Sequence, residues 1–99
     1  MATKAHVLEG LSMEYWVRVL KRRLRYLMVK SGVRQRDIAD ICDVSDAAVT
    51  RWLDPNDPKY PGMGRLYALC DEFNVTPNWL LGYDQDEGFD KWVRGQNGP

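Results

Sequence analysis

Large apolar residues return every three or four positions along most of this chain rather than at every second one, and that spacing selects helices over strands. Trp16, Leu20, Leu24, Leu27 and Met28 put one apolar stripe along a first helix that Ser12 caps and that reaches about Lys30. Glu14 stands in its first turn, where a negative charge suits the helix dipole, and its basic residues take the other faces. Ser31-Gly32 supplies the stop, because glycine enters the left-handed region without a Cβ clash. A second, shorter helix is predicted from Arg34 to Cys42, with Ile38, Ala39, Ile41 and Cys42 inward, and Ser45 caps a third that runs through Leu53.

The stretch Asp54 to Gly64 holds three prolines and two glycines and reads as a chain of turns. A fourth helix follows from about Met63 to Phe73, with Leu66, Leu69, Cys70 and Phe73 on one stripe. Thr76 then caps a fifth, which has Pro77 at its first position, Trp79, Leu80 and Leu81 in its body and Gly82 at its end. Residues 1–11 carry no sustained period and read as a lead-in, 12–82 as the helical domain, and 83–99 as an acidic, fraying tail. Phe89, Trp92 and Val93 share helical spacing in that tail, so one short helix there docks either on the body or on another subunit.

At 99 residues the chain has room for one domain, and its 44% hydrophobic and 28% charged residues can bury a core. No separate ligand-sensing or self-cleaving domain is expected. The expected location is cytoplasmic, since no apolar run approaches the roughly 18 to 20 residues of a membrane span and the start lacks a signal-peptide stretch. Cys42 and Cys70 lie in apolar-periodic segments without metal-ligand spacing and read as buried reduced thiols, with no metal and no cofactor. Catalysis is not expected: His6, the one histidine, stands in the lead-in, no glycine-rich phosphate loop occurs, and no nucleophile has an evident base.

Formal charge is zero but unevenly spread. From Tyr15 to Arg36 there is no acid, whereas Arg18, Lys21, Arg22, Arg23, Arg25, Lys30, Arg34 and Arg36 are all basic. Acids gather later, at Asp37, Asp40, Asp43, Asp46, Asp54 and Asp57, then at Asp84, Asp86, Glu87 and Asp90. A polyanion therefore meets one face of such a molecule. The basic first helix reads either as part of that face or as an ordinary solvated one.

Between Gln35 and Trp52, a helix of about eight residues, a tight turn and a second helix of similar length make the geometry of a helix-turn-helix. Ala39 is small where the two helices cross, Val44 anchors the turn, and Val49 with Trp52 or Leu53 pins the second helix from beneath.

Over Arg22 to Gly82, in the strings RLRYLMVKSGVRQRDIA, DVSDAAVTRWLD and LCDEFNVTPNWLLG, the chain resembles the Cro and cI repressor-like helix-turn-helix domains, the XRE-type regulators. The matching residues are Arg23-Leu24, Gly32 with Gln35, Val44-Ser45, Val49 and Trp52, and Val75-Thr76 followed by Trp79-Leu80-Leu81-Gly82. The resemblance implies an all-α, compact five-helix, lambda-repressor-like domain, here with an extended first helix and a short C-terminal tail, that binds double-stranded DNA as a homodimer on an inverted repeat.

It also implies roles. Gln35 bonds a phosphate at the amino end of the second helix with Arg34 and Arg36 beside it, and Ser45, Lys59, Tyr60 and Arg22 are further phosphate contacts. Asp46, Ala47, Thr50 and Arg51 face the bases: Arg51 pairs with guanine O6 and N7, Ala47 or the Thr50 methyl meets a thymine methyl, and Asp46 accepts from cytosine N4. Asp46 equally serves as an acid that stabilises a helix start. Asp43 stands where the family usually has glycine, and aspartate tolerates the left-handed conformation better than most residues. Tyr15, Trp16, Phe89 and Trp92 cover the core or build a dimer patch.

The leading expectation is thus a DNA-binding transcriptional regulator of phage or mobile-element repressor type. The other reading is a protein-interaction module, antitoxin-like or anti-repressor-like, that keeps the fold and meets a protein partner such as an antirepressor or a toxin.

Overall fold

A computed structural model of the chain describes residues 12–97, so the expected lead-in at 1–11 and its His6 lie outside the described residues. Six helices occur among them: α1 (Met13–Ser31), α2 (Gln35–Cys42), α3 (Asp46–Leu53), α4 (Met63–Phe73), α5 (Pro77–Leu80) and α6 (Glu87–Asn97). The caps sit where local chemistry puts them. Ser12, Ser45 and Thr76 accept the backbone N–H of Tyr15, Ala48 and Trp79 through their hydroxyl oxygens, and Gly32 closes α1 with φ 69°.

The apolar stripes meet in one core. Leu24, Ile38, Val49, Leu69 and Leu80, one from each of α1 to α5, are fully buried, and Trp52, Leu53, Leu66 and Cys70 complete the layer around them. Cys42 and Cys70 are buried free thiols, and burial raises the pKa of both, against the nearby Arg65 at Cys42 and with the help of Asp71 at Cys70.

The tail differs most from expectation. The short helix expected from the spacing of Phe89, Trp92 and Val93 runs for three turns, Glu87–Asn97, and packs on the domain where acidic composition suggested fraying, so the fold has a sixth helix. Asp86 caps it, with Oδ1 accepting the Phe89 N–H at 3.1 Å and Oδ2 accepting Trp79 Nε1 at 2.9 Å. Phe89 is buried and packs edge-on to Tyr26 and Trp79, with Trp92 against the same tyrosine. Phe89 is therefore spent inside its own chain and is not available to a dimer patch. Tyr15 remains exposed, while Trp16 and Trp92 are half-buried.

A second difference concerns the basic run. Arg23 belongs to the interior: its guanidinium lies 4.8 Å from the ring centroids of both Trp79 and Phe89, and its Nη1 donates to the Trp79 carbonyl at 2.7 Å. Lys21 is buried as well. Neither belongs to a solvated face: Lys21 donates to two backbone carbonyls and Arg23 to one.

Candidate nucleic-acid interface

The helix-turn-helix is built from α2, a three-residue turn and α3. α2 closes on Asp43, which adopts the left-handed conformation with φ 54° and ψ 54°. The Val44 N–H then returns to the Ala39 carbonyl at 3.0 Å, and Ser45 opens α3. Ala39, on the crossing face, is only 4% exposed. α3 is divided cleanly by its period: Val49, Trp52 and Leu53 are buried, whereas Asp46, Ala47, Thr50 and Arg51 are exposed. All four positions expected to face bases thus share one outward face.

Gln35 does something that sequence reasoning missed. Its side-chain amide donates to the Asp46 carbonyl at 3.0 Å and to the Thr50 hydroxyl, which in turn donates to the same carbonyl at 3.0 Å. The amide therefore ties the start of α2 to the first turn of α3. Arg34 and Arg36 flank it and are exposed, and the Asp37 carboxylate accepts the Arg34 N–H at 2.9 Å.

The opposite end of α3 is held from behind by α1. Lys21 Nζ donates to the Arg51 carbonyl at 2.7 Å and to the Lys59 carbonyl at 2.6 Å, and Arg25 Nη2 reaches the Leu53 carbonyl at 3.4 Å. Two cations thus serve the last carbonyls of α3, the arrangement that the helix dipole favours. Burial pulls the Lys21 pKa down, with Asp57 and Asp54 opposing. The one sequence hint is that Lys21 stands three positions before Leu24 on the apolar stripe, a spacing that lets its stem run along the core without saying which carbonyls its ammonium meets.

The expected site residues therefore separate into groups. Gln35, Ser45, Asp46, Ala47, Thr50 and Arg51, with Arg34 and Arg36 alongside, lie on the α2–α3 side. The Lys59 carbonyl shares the Lys21 ammonium with that of Arg51, which sets it near the C-terminal end of α3, and its side chain is exposed. Tyr60 sits beside the start of α1, against Met13 and Val17. Arg22 is not brought to this group, because its place on α1 turns it to α6, where it lines depressions with Phe89, Trp92 and Arg94. Asp43, Asp46 and Asp54 ring α3 with exposed carboxylates.

Among the described residues no group of three or more His, Cys, Asp or Glu is placed to hold a metal ion, and no helix is long and apolar enough to cross a membrane. In comparisons with known proteins, the family model of the Cro/C1-type HTH DNA-binding domain matches residues 23–86. No curated protein and no solved structure matches the chain.

Proposed function

The chain belongs to the Cro/C1-type helix-turn-helix DNA-binding family, and from that premise we propose that it is a sequence-specific transcriptional regulator, a repressor of phage or mobile-element type acting as a homodimer on an inverted repeat. The observation that carries this reading is the exposed face of α3, held at its first turn by Gln35 and at its last by Lys21. A rigid, outward helix face of that kind suits the major groove. On this reading Arg51 donates to guanine O6 and N7, Ala47 and the Thr50 methyl meet thymine methyls, and Asp46 accepts from cytosine N4. Arg34, Arg36, Ser45, Lys59, Tyr60 and the backbone amides beside Gln35 hold phosphates.

A second copy has a surface to use. The groove between α1, α4 and α5, rimmed by exposed Met13, Met63, Leu81 and Tyr83, carries no acidic or basic side chain. In a two-fold contact a patch meets itself, so an uncharged apolar patch pairs without self-repulsion.

Selection of bound duplexes from a random pool at near-physiological salt tests the proposal. Enrichment of an inverted repeat with half-sites about one helical turn apart is the expected result. No enrichment by a folded protein overturns it. The carboxylates around α3 favour the second reading, a domain that docks a protein partner of antirepressor or toxin kind, and in that case the same selection returns no motif.

A further inference from the structure

We propose that the cleft between α1 and α6 binds a small organic anion, a phosphate or carboxylate carried on an apolar body. The cleft measures about 530 Å³ and is lined by Arg18, Arg22, Arg23 and Arg94, with Trp16 and Phe89 among its apolar walls. That volume falls within the range of small-molecule pockets, roughly 300 to 1,000 Å³, which join mostly apolar walls to a few converging polar groups. Asp90 is the one acid that lines it. No residue of α2 or α3 does, so the cleft is distinct from the proposed DNA-reading face.

The arginines there are under-used. Arg25 is committed to a carbonyl of α3, whereas Arg18, Arg22 and Arg94 have no hydrogen-bonding or ion-pair partner among the described residues. Arg23 is 5% exposed, spends Nη1 on the Trp79 carbonyl and feels the Asp86 carboxylate nearby, yet its buried Nε has no acceptor. Guanidinium groups gathered around one concavity repel one another and share a positive field that an anion relieves. Their planar forks also match the paired oxygens of carboxylate and phosphate. Trp16 and Val93, both half-buried, give the rest of such a ligand an apolar seat. A concave site of this size suits a small anion rather than a duplex, and its occupant would bridge α1 to α6.

Phenyl phosphate and phenylacetate, titrated separately into the full chain at low salt, test this through tryptophan fluorescence, since Trp16 lines the cleft. Comparison of the two identifies the headgroup. Saturable binding of at least one is expected, about 10-fold or more weaker in R18Q/R94Q and unchanged in Gln35→Ala. Both arginines are exposed, so circular dichroism should show the double variant folded, and its DNA preference should persist. Absence of saturation by both compounds, or binding to the double variant as tight as to the parent, overturns the proposal. Either outcome is independent of whether the duplex selection succeeds.

Discussion

Single residues brace α3, the proposed reading helix, from behind its exposed face. Lys21 is the clearest case, because its ammonium satisfies two backbone carbonyls, Arg51 at the end of α3 and Lys59 in the loop beyond. Lys21→Met keeps most of the stem but leaves the Lys59 carbonyl unpaired and the Arg51 carbonyl with the Asp54 N–H alone, so a loss of about 1 to 3 kcal/mol is expected from urea unfolding. DNA affinity should fall with it while base preference is kept. Gly82 is a different kind of constraint: its φ is 90° and a Cβ there would run into Val19. Gly82→Ala should therefore destabilise the domain by about 1 to 3 kcal/mol, measurable by thermal melting. At Arg51 the expected change is in specificity, with Arg51→Ala relaxing the choice at one base pair by roughly 1 to 3 kcal/mol in competition binding.

At the scale of elements, α6 is the part whose docking rests on the fewest groups. Asp86 accepts from Phe89 N and Trp79 Nε1 only as a carboxylate, and these bonds hold its pKa below the ordinary aspartate value. A group depressed in the folded state contributes stability above its unfolded pKa and loses that contribution as pH falls through the folded value. The docking of α6 should accordingly weaken below about pH 4, seen as a change in tryptophan emission, and Asp86→Asn should remove that pH step. If the step survives in Asp86→Asn, another carboxylate holds the helix. Most elements were legible in the sequence because caps such as Ser12, Ser45 and Thr76 act within three residues of themselves. α6 was legible only as a short helical spacing in an acidic tail, because its full length and its docking on the body depend on the aromatic pocket of Tyr26 and Trp79 that makes Phe89 worth burying.

For the whole molecule, a chain of zero formal charge must present its positive field locally if it is to hold a polyanion. The proposed DNA face has Arg34, Arg36, Arg51 and Lys59 against the carboxylates of Asp43, Asp46 and Asp54. Binding through the former predicts that the logarithm of affinity falls steeply with that of salt, with a slope of about −0.9 for each phosphate neutralised. Near-zero slope would instead point to a protein partner.

The sequence by itself determined the order of the five domain helices, the left-handed turn at Asp43 and the outward face of α3, since each depends on neighbours within a few residues. It also carried the family resemblance, whose motif residues are largely those same caps and core positions. Only the tertiary structure decided what the charged side chains do. Lys21 and Arg23 find their carbonyls 30, 38 and 56 residues away, and Gln35 finds Asp46 and Thr50 across the turn. A basic residue on a helix is equally compatible with solvent, a phosphate or a buried carbonyl. Which of these it meets depends on the packing of distant segments, and no periodicity in the chain encodes that.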